Sequence, residues 1–123
     1  IIERFYEIGV YPDWWKLEPM KSEAAWKAAS EAVQRNDPYV RGIVVLGLDA
    51  PQAELEESFR LAAGFDLVKG FAVGRTIFAD AARAWLSGKM SDEVAVAQMT
   101  QRYSALCQKW DAARAASNKG GAA

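Results

Sequence analysis

Lys16 and Glu18 stand two residues apart in the stretch Asp13–Pro19, DWWKLEP, which otherwise reads as a short apolar strand closed by a proline. An amine next to a carboxylate has two ordinary uses. It is a structural ion pair, or it is a nucleophile with a proton carrier at hand. Alternation along a strand puts Trp14, Lys16 and Glu18 on one face and Asp13, Trp15 and Leu17 on the other. If Trp15 and Leu17 pack beneath helices, Lys16 and Glu18 face the interior of a barrel. Partial desolvation there would favour the neutral, nucleophilic amine. Schiff-base chemistry with a carbonyl substrate needs that form. Glu18 would then move protons or hold a substrate hydroxyl.

A second group of residues suits an anion. In GFAVGRTIF, Gly74 and Arg75 fall between a strand and a helix. A glycine there lets backbone N–H groups approach a phosphate, the arginine adds a bidentate fork, and the helix offers its positive end. The alternative is an ordinary tight turn with an exposed arginine. In LGLDAP, Gly47 would present backbone to the same phosphate, while Asp49 reads as a helix N-cap. Lys69, in LVKGF, is an auxiliary amine. Alternation groups it with Phe71 and Val73, away from Gly70, Ala72 and Gly74. As a second cation it would assist Lys16; as an edge lysine it would block aggregation.

The elements that must position these residues follow from periodicity and caps. Residues 1–8 suit a helix end, with Gly9 at the C′ position. A strand over 13–18 follows, then a helix from Glu23 to about Gln34 capped by Ser22. Gly42 to Leu48, GIVVLGL, is a β-branched run of the kind buried on both faces of a parallel sheet. A helix near Pro51 ends at Gly64, and DLVKGFAV forms a third strand. A helix begins at Gly74, and a long amphipathic one follows Ser91, with Asp92 and Glu93 suiting its dipole. Strands alternating with helices imply βαβ units and a parallel sheet, hence an α/β fold. Residues 117–123, SNKGGAA, read as a flexible tail.

Composition excludes several classes. The chain has 123 residues, one domain's worth, with 15 basic and 16 acidic side chains, so no global charge calls for nucleic acid or an anionic membrane. There is no histidine and one cysteine, Cys107. That rules out histidine triads and an internal disulfide, and leaves too few ligands for zinc. No cofactor is implied. No apolar run reaches the roughly 20 residues of a membrane span, and the expected compartment is the cytoplasm.

Three stretches, GVYPDWWKLEP, RGIVVLGLDAP and LVKGFAVGRTIF with its AWLSG continuation, resemble one family. It is the aldolase-like C-terminal domain fused to 5-dehydro-2-deoxygluconokinase in bacterial inositol catabolism. More distantly the stretches are similar to class I tagatose- and fructose-bisphosphate aldolases. The resemblance implies the C-terminal part of a (β/α)₈ TIM barrel, strands 6 to 8 with the closing helices, over residues 1–116. Such a barrel takes about 250 residues, so the expectation is an incomplete one. Lys16 matches the Schiff-base lysine, Gly74 and Arg75 the phosphate pair, and Gly47 a backbone phosphate contact. The implied reaction is retro-aldol cleavage of 2-deoxy-5-keto-gluconate 6-phosphate, with these residues alone expected to be inactive. The alternative is a non-catalytic phosphosugar-binding or assembly module. Either way the open strand edges imply a homo-oligomer, or pairing with the missing half of the barrel.

Overall fold

The computed structural model describes residues 1–47 and 51–120. Helix α1 (Ile2–Glu7) ends at Gly9, whose φ of 84° is the left-handed conformation that a helix stop requires. Strand β1 (Trp14–Leu17) leads to α2 (Glu23–Asn36), where the Ser22 hydroxyl accepts from the Ala25 N–H at 3.2 Å. Strand β2 (Gly42–Leu46), α3 (Gln52–Ala62) and β3 (Val68–Ala72) complete two βαβ units. An α-hairpin of α4 (Arg75–Leu86) and α5 (Asp92–Gly120) follows. The Asp49 cap expected for α3 lies outside the described residues.

All three strands are parallel, in the order β1-β2-β3. The chain brings α1, α2, α3 and α5 to one face. There Trp15, Ile43, Val45 and Val68 meet Tyr6 of α1, Trp26 and Val33 of α2, Leu55 and Phe59 of α3, and Leu106 and Trp110 of α5. Phe59 stacks on Phe71 with ring centroids 5.0 Å apart, and Trp110 closes on Phe59 edge-on at 5.5 Å. The burial of α1, α2, α3 and α5 against one sheet face is the chief source of stability.

The opposite face carries Trp14 and Lys16 of β1, Val44 and Leu46 of β2, and Gly70 and Ala72 of β3, as the register of the pairs dictates. Trp14 and Lys16 are exposed there, and the aliphatic side chains are half-buried. The two-sided burial expected for GIVVLGL is therefore realised on one side.

The expected partial (β/α)₈ barrel is corrected by this arrangement. The described residues form a small α/β domain, an open three-stranded sheet with five helices, and no barrel segment is evident among them. A barrel needs each strand paired on both sides, whereas β1 and β3 each have one neighbour among the described residues. A second departure concerns residues 117–120. They continue α5 rather than forming a tail, and the Ser117 hydroxyl donates to the Ala63 carbonyl at 3.0 Å.

Candidate functional site

The C-terminal ends of the three strands converge on one cavity of about 230 Å³. Its walls include Lys16 from β1, Leu46 from β2 with Gly47 directly after it, and Ala72 from β3. Val73, Gly74, Arg75, Thr76 and Phe78 complete it at the β3–α4 junction. Ligands of open parallel sheets bind in this position, where loops leave the carboxyl ends of the strands. Four of the expected site residues, Lys16, Gly47, Gly74 and Arg75, are thus brought together although nearly 60 residues of chain separate the first from the last.

Each is held by its own element. Lys16 pairs with Val44 in the parallel ladder, which fixes its side chain on the bare face. It is exposed, so the desolvation expected of an interior lysine is not supplied by the described residues. Gly47 is buried, and a Cβ there would stand 2.9 Å from Cγ1 of Val73. Only glycine lets β2 end this close to the β3–α4 junction. Gly74 is the N-cap of α4, and its carbonyl accepts from the N–H groups of Ile77 at 2.8 Å and Phe78 at 3.2 Å. First-turn amides of a helix have no acceptor within it, and the dipole adds partial positive charge. Arg75 opens the helix at the rim.

Thr76 escaped the sequence reading. It lies in the first turn of α4 and lines the cavity, and its Oγ1 is buried without a hydrogen-bond partner. A threonine two places after an N-cap glycine was the available signal. With the amine, the guanidinium and the helix end, the hydroxyl makes a set suited to an anionic group attached to a carbonyl compound.

Glu18 and Lys69 are not part of this cavity. β1 ends at Leu17, and Glu18 lines a separate cleft of about 910 Å³ between the β1–α2 loop and α3. The Lys16–Glu18 ion pair weighed from the sequence is not formed among the described residues; each side chain stands without an ionic partner there. Lys69 sits at the other end of the sheet. The register slips between Ile43 and Val44, so that Ile43 faces Val68 and Val44 faces Gly70. The extra residue breaks the alternation that grouped Lys69 with Phe71. Phe71 turns to the helices and stacks on Phe59, while the Lys69 stem lies over Gly42 at the start of β2.

Fold and site together define a small two-layer α/β domain with a cation-lined cavity at its strand ends. Residues 1–114 match the family described as "Uncharacterized protein conserved in bacteria (DUF2090)", and the chain belongs to that family. No curated protein and no solved structure matches it. No helix among the described residues is long and apolar enough to cross a membrane.

Proposed function

We propose that the strand-end cavity is an aldolase-type Schiff-base site for a phosphorylated keto sugar acid, with 2-deoxy-5-keto-gluconate 6-phosphate of inositol catabolism as the substrate. The observation that carries the reading is the meeting of Lys16 with Gly47, Gly74 and Arg75 in one cavity. The phosphate would rest on the first turn of α4 and the Arg75 fork, which fixes the keto carbon near the amine. Lys16 Nζ attacks that carbon and the carbinolamine loses water to give an iminium. The neighbouring C–C bond then breaks with its electron pair drawn into the iminium, leaving an enamine and an aldehyde. Protonation and hydrolysis release dihydroxyacetone phosphate, and malonate semialdehyde is the aldehyde product. Among the described residues no carboxylate lines the cavity, so the hydroxyl proton passes to water rather than to Glu18.

A second reading is favoured by the exposure of Lys16. An amine open to water suits electrostatic binding better than imine formation, and the domain would then bind phosphosugars without cleaving them. Incubation with dihydroxyacetone phosphate and borohydride, followed by intact mass and peptide mapping, separates the two. A reduced adduct on Lys16 that is lost in Lys16→Arg supports the aldolase reading. No adduct, together with phosphate-ester binding lost in Arg75→Ala, supports the binding module. Neither adduct nor binding overturns both.

A further inference from the structure

The cleft between the β1–α2 loop and α3 is separate from the Lys16 cavity, and it is the larger of the two at about 910 Å³. That is ample for a small organic molecule. Pro19 and Met20 of the loop and Leu61 of α3 give it apolar walls. Two carboxylates, Glu18 and Glu54, line it, and neither has an ionic partner among the described residues. A third, Glu57, is occupied by Arg60, whose Nη2 and Nε lie 2.6 and 2.8 Å from its two oxygens. Among the described lining residues the only cation is Lys21.

Ser58 makes this more than an acidic patch. It lines the cleft, it is 4% exposed, and its Oγ has no hydrogen-bond partner. A serine inside a helix ordinarily turns its hydroxyl back to the carbonyl four residues earlier. Ser58 does not, and a buried hydroxyl without a partner is unfavourable unless something supplies one. An ammonium group brings three donors and no acceptor, which matches one free hydroxyl oxygen and two free carboxylates. An anion would meet those carboxylates with like charge.

We propose that this cleft binds a small primary ammonium with an apolar body, its head between Glu18, Glu54 and Ser58 and its chain along Met20 and Leu61. The site stands apart from the proposed Schiff-base chemistry and does not depend on it.

The test is an amide-resolved NMR titration of the whole chain with n-butylammonium, with 1-butanol as the uncharged control. The expected result is saturable shifts at the amides of Met20, Lys21, Ser58 and Leu61 with the amine and at least about tenfold weaker binding of the alcohol. Losing one charge-assisted contact is worth that much, so Glu54→Gln should weaken the amine about tenfold. Ser58→Ala should weaken it several-fold, and Lys16→Ala should leave it unchanged. Equal response to the alcohol, shifts spread over the whole acidic surface, or an unaltered titration in Glu54→Gln would overturn the proposal. Glu54 is exposed, so its variant keeps the test usable if Ser58→Ala does not fold.

Discussion

The indole N–H of Trp15 donates to the phenol oxygen of Tyr6 at 2.8 Å, and both side chains are buried. Their rings meet edge-on with centroids 5.6 Å apart. One hydrogen bond thereby ties α1 to β1, the strand that presents Lys16. Burial pushes the Tyr6 phenol above its ordinary pKa, and Asp37 and Tyr11 push the same way, against the opposing effect of the Trp15 bond.

Tyr6→Phe leaves the buried indole N–H without an acceptor, and the expected loss of stability is about 1–3 kcal/mol. It also changes the alkaline limb. With the folded pKa raised, the Tyr6 contribution is complete below about pH 10 and is lost as pH rises through the folded value. Urea unfolding at neutral pH and above pH 10 checks both points. The difference between wild type and variant should shrink at the higher pH.

Arg114 of α5 spans three backbone carbonyls at the α3–β3 turn. It donates to Ala63 at 2.6 Å, to Phe65 at 3.4 Å and to Val68, while its guanidinium lies 5.5 Å from the Trp110 ring. Arg114→Met should cost about 3 kcal/mol, because the carbonyls lose a charged donor. Arg114→Lys should recover little of it, since an ammonium cannot reproduce the planar fork. Chemical denaturation midpoints at constant m-value would show this.

Gly47→Ala drives a methyl group into Val73 and should destabilise by about 1–3 kcal/mol. Adding Val73→Ala removes the obstruction, so the double variant should be more stable than the sum of the single changes predicts. A simple sum in a thermal unfolding series would mean that β2 and the β3–α4 junction do not meet as described.

Asp80 accepts from Arg102 at 3.0 Å and from Arg83 one helical turn away, and these bonds hold its carboxyl below the usual range. A depressed carboxylate contributes stability above its unfolded pKa, near 4, and loses it as pH falls through the lower folded value. Asp80→Asn should therefore lower the melting temperature modestly between pH 6 and 8 and flatten its acid limb, the two curves converging as pH falls below about 4. The pair lies at the surface, so the effect is expected to fall further in high salt.

Among the described residues both outer strands have a neighbour on one side only, and Trp14 is 46% exposed on the bare sheet face. We expect copies of the chain to associate at high concentration. Light scattering should then give a mass above the 13.5 kDa of one chain, and Trp14→Lys should lower it. A monomer at every concentration would count against association.

Much of this molecule is legible in its sequence because helix and strand periods are local. The Ser22 cap, the Gly9 stop, the three strands and the helix opening at Gly74 follow from residue types within a few positions of one another. The grouping of Lys16 with Gly47, Gly74 and Arg75 is also legible, because parallel strands in chain order carry their C-terminal ends to the same edge. What escaped depends on pairing between distant segments. Whether a parallel sheet closes or stays open is set by what lies beside its outer strands, and here those sides are free among the described residues. Lys69 is separated from Phe71 by a slip against β2, which no alternation pattern in β3 alone reveals. Glu18 leaves the Lys16 face because the strand stops one residue earlier, at Leu17, and the chain turns toward α3. Ser117 continues α5, and its hydroxyl reaches the Ala63 carbonyl across the fold, a contact that its local sequence does not reveal. Sequence by itself determined the elements and their order, since these rest on short-range sterics and hydrophobic period. Tertiary structure decided which side chains share a cavity, since that rests on register, strand ends and packing between residues far apart in the chain.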